Sequence, residues 1–231
     1  MRVLIAIPAF NEADTVADVV RDVREHRPDD TVLLIDDGSQ DDTAALARQQ
    51  GAQVVRLPFN CGVGAAMRTA FLYAQRHDFD AVVQVDADGQ HDPASIKALL
   101  EALQSASVVV GARGDSYPVT GPRRWAMKVL AAALTRITGT HLTDVTSGFR
   151  AADRGAIELY AGNYPSEYLG DTVESLVIAS RAGLTVAQVD VVMRPRQGGH
   201  SSQGTLMSTA YLSRALLALV VAVTHRPAGP G

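Results

Sequence analysis

Two carboxylates set two residues apart, Asp86 and Asp88, follow directly on the apolar run Ala81–Val85 and precede Gly89 and Gln90. A short run rich in β-branched residues suits a buried strand. Residues two apart in an extended segment point the same way, so both carboxylates can face one ion. Hard oxygen donors suit Mg2+ or Mn2+, ions that commonly bridge a protein to the phosphates of a substrate. In an open α/β sheet, ligands collect outside the carboxyl ends of the strands, where this pair falls. Asp and Gly are also common in ordinary strand-end turns, so the surroundings must decide.

Those surroundings repeat one pattern. Arg2–Ile7 reads as a strand and breaks at Pro8-Ala9-Phe10-Asn11-Glu12, where Pro removes a backbone donor. Val16, Val19, Val20 and Val23 then give helical spacing over Ala13–Arg27. The run Thr31–Ile35 ends in Asp36-Asp37-Gly38-Ser39, and Asp41-Asp42-Thr43 opens a helix with carboxylates expected in its first turn. Gln53–Leu57 is a third strand. Asn60-Cys61-Gly62-Val63-Gly64 leads into a helix ending near Arg76. After the Asp86 strand, Pro93 starts a helix to Leu103, and Ser107–Gly111 is a strand ending at Arg113. Strands that alternate with amphipathic helices imply a parallel, doubly wound α/β sheet. Its rim would carry Pro8–Glu12, Asp36-Asp37, Asp86–Gln90 and Arg113.

The second half reads differently. A helix is expected over about Trp125–Thr138, a short one near Arg154–Tyr160, and another over Tyr168–Ala182 that carries Asp171 and Glu174. Leu184–Met193 is a strand, Arg194–Gly204 a basic loop rich in Gly and Ser, and Leu206–Val223 a last helix. Residues 226–231 are expected to be a disordered tail.

The chain has 231 residues, 47% hydrophobic and 20% charged, with formal net charge −4. That is ordinary globular composition and gives no reason to expect a nucleic-acid partner. One cysteine, Cys61, excludes an intrachain disulfide framework and points to a reducing compartment, the cytoplasm. No stretch approaches the roughly 18 apolar residues of a membrane span. A single domain over 1–225 is expected, with a nucleotide-binding half to about residue 115 and an acceptor half after it.

The ordered set Pro8–Glu12, Asp36-Asp37-Gly38-Ser39, Asn60–Gly64 and Asp86-Ala87-Asp88-Gly89-Gln90-His91 resembles the family-2 glycosyltransferases of the GT-A fold. Val145–Arg150 and Arg194–Ser202 are more similar to the branch containing polyprenol-phosphate mannosyl- and glucosyltransferases. The resemblance covers nearly the whole chain, the first half more strongly. It implies a mostly parallel sheet flanked by helices and an inverting, metal-dependent transfer of a hexose from a GDP- or UDP-sugar. By that similarity Pro8, Phe10 and Glu12 line the base and ribose pocket, with Phe10 where many relatives carry Tyr. Asp37 would accept from a base N–H, and Gly62 lets backbone approach the nucleotide. Asp88, then Gln90, are the metal ligands, with Asp86 either a third ligand or a ribose contact. His91 is a further ligand candidate or a hydrogen-bonding loop residue. Cys61 reads as a packing residue.

The acceptor leaves two readings. A phosphate, already anionic at neutral pH, needs cations rather than a base. The resemblance gives that role to Arg113, Arg124 and Arg196, with Arg123, Arg150 and Arg194 as neighbours and Ser147 in a segment that closes the pocket. A hydroxyl needs a carboxylate to take its proton. Asp171 and Glu174, spaced i, i+3, can share one helix face for that purpose. The resemblance favours a polyprenyl phosphate. The last helix would then dock on the cytoplasmic face of a membrane, on a membrane protein, on the sheet, or on a second copy of the chain. Two other classes stand beside this reading. A nucleotidyltransferase would want an Arg- or Lys-containing glycine loop where Phe10-Asn11-Glu12 stands. A non-catalytic nucleotide-sugar binder or partner subunit would keep the donor motifs alone.

Overall fold

The computed structural model describes residues 1–113, 122–165 and 171–195, the side chains of 122–126 excepted. Seven strands form one sheet: β1 (Val3–Ala9), β2 (Thr31–Asp36), β3 (Gln53–Arg56), β4 (Ala81–Gln84), β5 (Val108–Arg113), β6 (Arg150–Asp153) and β7 (Val186–Val191). Their spatial order is β3-β2-β1-β4-β6-β5-β7. Every pairing is parallel except those of β6, which runs antiparallel to both β4 and β5. The mostly parallel α/β sheet is therefore the observed architecture.

Strand alternation feeds two cores, one on each face. Leu4, Ala6, Leu33, Ile35, Val82, Val108 and Val110 face one side. They pack under α3 (Val63–Arg76), α5 (Pro122–Thr138), α6 (Arg154–Asn163) and α7 (Asp171–Arg181). Val3, Ile5, Ile7, Val32, Leu34, Val83 and Val109 face the other. That side is covered by α1 (Val16–His26), α2 (Thr43–Gln49) and α4 (Ile96–Ala102). The valines Val16, Val19, Val20 and Val23 form the buried stripe of α1, as their spacing predicts.

Two local expectations change. Strand β6 is absent from the sequence reading because Arg-Ala-Ala-Asp carries no β-branched or aromatic residue. It owes its form to neighbours on both sides, and Ala151 and Ala152 fill the two cores with small side chains. Helix α2 has no acidic residue in its first turn. Asp41 lies before it, accepting from the N–H groups of Thr43 and Ala13.

Candidate active site

The carboxyl ends of β1, β2 and β4 meet on one rim, and bonds from backbone N–H groups to side-chain oxygens stitch their loops together. After β1, Asn11 takes a left-handed conformation with φ 54°. Its N–H donates to Ser39 Oγ, and its Oδ1 accepts from the Gln40 N–H at 2.8 Å. The Glu12 N–H donates to Thr43 Oγ1 at 2.8 Å. Phe10 is left 40% exposed beside this junction, and Pro8 and Glu12 are half-buried.

Asp36 and Asp37 are both buried. Asp36 Oδ1 accepts the Ser39 N–H at 2.8 Å, and its Oδ2 lies 3.3 Å from Arg56 Nε. Asp37 accepts the N–H groups of Cys61 and Gly62, one on each oxygen, at 2.7 Å. Burial pushes the Asp37 carboxyl up, against the pull of those N–H groups and with a further push from Asp36. The Asp37 side chain thus fixes the loop that enters α3, and Gly62 makes the entry at φ 89°. Gly38 has φ 77°, and a Cβ there would sit 2.7 Å from the Phe59 carbonyl carbon, so only glycine fits. The Phe59 side chain is 67% exposed.

The Asp86–His91 loop follows β4. Asp86 Oδ1 accepts from Gln84 Nε2 at 3.1 Å, and the Asp86 side chain stays 38% exposed. The Asp86 N–H donates to His91 Nδ1 at 3.0 Å. That bond puts the ring proton on Nε2, 3.5 Å from Asp86 Oδ2. His91 is buried and stacks on Phe149 with centroids 4.6 Å apart. It is a loop-holding residue, the second of the two roles its sequence position allows. Asp88 accepts the Gln90 N–H at 3.0 Å and the Gln90 side-chain amide at 2.9 Å. Thr15 ties the loop to the start of α1 by donating to the Ala87 carbonyl at 2.7 Å.

The donor set at this loop is all oxygen: two partly exposed carboxylates and the amide oxygen of Gln90. Among the described residues no group of three or more His, Cys, Asp or Glu side chains gathers to hold an ion alone. Such an open pair fits Mg2+ or Mn2+, which keep waters and complete their shells with substrate phosphate oxygens. It does not fit a closed structural zinc site.

The residues expected to meet the acceptor bring several corrections. Ser147 is fully buried, and its Oγ accepts the Phe149 N–H at 3.2 Å, so it holds a turn rather than meeting an acceptor. Arg150 is buried too. Its guanidinium donates to the carbonyls of Ser147, Val145 and Thr172 at 2.6–2.8 Å and to Ser175 Oγ at 3.1 Å. It is therefore a structural cation and no phosphate clamp. Arg194 is likewise engaged, pairing with Asp22 and with Asp92. Its N–H bonds the Gln90 carbonyl at 2.8 Å, beside a bridge between His91 and Met193. Arg113 ends β5 with Nε 3.6 Å from Asp144 Oδ2 and its side chain part-exposed. The side chains of Arg123 and Arg124, together with Arg196, the 196–204 loop, the last helix and the 226–231 tail, lie outside the described residues.

Asp171 opens α7 only 4% exposed, and Glu174 is half-buried one turn on. Burial pushes the Asp171 carboxyl up to about 6. Arg150 and the Thr172 N–H pull it down, and Asp86 pushes it up. Asp171 and Asp86 thus feel one another's charge.

Comparison with known proteins decides the family. The model for glycosyl transferase family 2 matches residues 4–160. The chain is a family 2 glycosyltransferase. An undecaprenyl-phosphate mannosyltransferase of Micrococcus luteus is 33% identical over 213 residues, 87% of this chain and 87% of that one. A polyprenol monophosphomannose synthase of Mycolicibacterium smegmatis is 31% identical over 68% of this chain and 63% of that protein. Among solved structures, glucosyl-3-phosphoglycerate synthase from Mycobacterium tuberculosis is similar in fold. Its complex with Mn2+, UDP and glucosyl-3-phosphoglycerate has a TM-score of 0.76 and 23% identity, covering 100% of this chain and 82% of that one.

The matched region of this glycosyltransferase ends before α7, so Asp171 and Glu174 stand outside it. Sequence reasoning passed over Thr15, Gln84 and Asp144 as site-shaping residues. Gln84 did leave a signal, a polar residue inside an apolar strand. Gly148 left none, since its importance lies in what it touches: a Cβ there would come within 3.0 Å of both Asp86 oxygens.

Proposed function

We propose that this glycosyltransferase moves a hexose from a GDP- or UDP-sugar to a polyprenyl phosphate, with inversion at the anomeric carbon and with Mg2+ or Mn2+ on the diphosphate. One observation carries the reading: the part-exposed Asp86–Asp88 pair stands on the rim shared with Asp37 and the Phe10–Glu12 turn. The base and ribose would lie along Pro8, Phe10 and Glu12, beside Asp37 and Gly62. Asp86, Asp88 and Gln90 would hold the cation, which when bound offsets charge on the departing nucleoside diphosphate. The likeness to the Micrococcus luteus undecaprenyl-phosphate mannosyltransferase supports a lipid-phosphate acceptor. Arg113, Arg124 and Arg196 are the cations proposed to hold it. Arg113 would exchange its contact with Asp144 for the phosphate.

The protein would then work as a peripheral protein at the cytoplasmic face of a membrane. Among the described residues no helix is long and apolar enough to cross one.

A second reading has its own observation. Asp171 is a buried carboxyl held at a pKa of about 6, poised to take a proton near neutrality. It would serve as base for a hydroxyl acceptor on a saccharide or small metabolite.

The test is a transfer assay with Mn2+, GDP- and UDP-hexoses, and either polyprenyl phosphate or hydroxyl acceptors, scored by product mass. A hexosyl lipid phosphate is expected. Product only on hydroxyl acceptors would replace the first reading with the second. Tight nucleotide-sugar binding with neither transfer nor hydrolysis would make the chain a binder.

A further inference from the structure

Gln84 is polar where its strand otherwise carries none. Ala81, Val82 and Val83 before it and Val85 after it are buried apolar residues, and Gln84 itself is buried. It lies inside the sheet, in register with Ala6 on β1 and Arg150 on β6. A buried amide costs free energy unless its polar atoms are bonded, a cost that an apolar side chain of like size avoids. Something must offset that cost, and the visible return is the bond from Nε2 to Asp86 Oδ1 at 3.1 Å.

That bond is one of three constraints on the same carboxylate. His91 Nε2 faces Oδ2 from 3.5 Å. Gly148 closes a third side, its missing Cβ leaving room for both oxygens and for Gln84 Nε2, each 3.0 Å from where that carbon would be. A part-exposed aspartate would ordinarily sample several rotamers, and ordering it upon binding would weaken binding. Here the rotamer is set beforehand from beneath, while the outer edge of the carboxylate remains open.

We propose that Gln84 is a positioning residue of the donor site: its amide fixes the Asp86 carboxylate in the orientation that receives the divalent cation and nucleoside diphosphate. The proposal rests on the donor-site reading given above. It assigns to Gln84 no contact with substrate.

Gln84→Met and Gln84→Leu remove the donor at nearly constant volume, and Gln84 borders a small cavity shared with Arg150, Tyr160 and Ser175 that can absorb the difference in shape. These variants, Asp86→Ala and the double variant Gln84→Met/Asp86→Ala are checked for an unchanged far-ultraviolet circular dichroism spectrum. Each is then titrated with Mn2+ in the presence of UDP and, separately, GDP, with free Mn2+ followed by electron paramagnetic resonance. Loss of Gln84 alone is expected to weaken Mn2+ uptake about tenfold, the scale seen when a ligand's outer partner is removed. Asp86→Ala is expected to weaken it further, and the double variant to be no worse than Asp86→Ala, because the amide acts only through that carboxylate. Unchanged Mn2+ affinity in both Gln84 variants, or losses that add in the double variant, overturn the proposal while leaving the donor site intact. If the parent takes up no Mn2+ with either nucleotide, the donor-site reading fails and the proposal falls with it.

Discussion

The rim proposed for the donor and the side proposed for the acceptor are built by different means. On the donor rim, carboxylates bind backbone N–H groups of nearby loops: Asp36 to Ser39, Asp37 to Cys61 and Gly62, Asp88 to Gln90. The loops support one another, and glycines at φ 77°, 89° and 76° make the turns possible at Gly38, Gly62 and Gly89. On the acceptor side, one buried guanidinium, that of Arg150, gathers the carbonyls of Val145, Ser147 and Thr172. The first construction spreads its dependence over many amides. The second hangs a loop, a strand and a helix on one side chain.

The largest expected effect tests that contrast directly. Arg150→Met strands several buried carbonyls and removes the positive charge nearest Asp171, so about 3–5 kcal/mol of stability should be lost. Urea unfolding measures it. A loss under 1 kcal/mol would show that the acceptor side has other supports. Asp88→Asn should leave stability nearly unchanged yet reduce transfer about a hundredfold, roughly 2.7 kcal/mol at the transition state, if the cation is held there. Steady-state rates at saturating Mn2+ check this.

Asp171 gives an effect that depends on pH. Its folded-state pKa of about 6 lies above the ordinary 3.8, so the folded chain binds this proton more tightly than the unfolded one. The group therefore costs nothing below about pH 4, costs more as pH rises towards 6, and keeps its full cost above that. Asp171→Asn should be roughly 3 kcal/mol more stable than the parent at pH 8 and about equal to it at pH 4. Thermal unfolding at the two pH values decides. The same substitution separates the acceptors: turnover should persist with a phosphate acceptor and collapse with a hydroxyl. The smallest effect is that of Thr15→Val, which loses the bond to the Ala87 carbonyl. About 1 kcal/mol of stability should go, with a modest rise in the KM for the nucleotide-sugar.

The same contrast explains what could be read in the sequence. The donor motifs are short and local: an apolar run, then Asp, Gly or Pro at its end. Strand ends and candidate ligands could be placed because each motif directly follows its own apolar run, although the contacts that join the motifs to one another span 24 to 31 residues. On the acceptor side the determining contacts cross the chain. Arg150 looks like any arginine after a turn, and its burial depends on Thr172 and Ser175, which the sequence places far away. Arg194 looks like the start of a basic loop, yet Asp22 and Asp92 hold it. Ser147 looks available and is covered. Strand β6 has no strand-forming residue of its own and takes its conformation from β4 and β5. Gln84 could be seen as an exception to its strand, but only the fold shows that its amide bonds Asp86.

The antiparallel insertion of β6 also bears on how the molecule could be cut or assembled. The sheet's centre is closed by a strand contributed some forty residues after β5, so β4 and β5 reach one another only through it. A fragment ending at Arg113 would leave one edge of β4 and both edges of β5 unpaired, an invitation to aggregate. The boundary expected near residue 115 therefore falls between strands that share one sheet. During synthesis the donor motifs would leave the ribosome long before the strand that locks them, and the central seam would be among the last parts of the sheet to form.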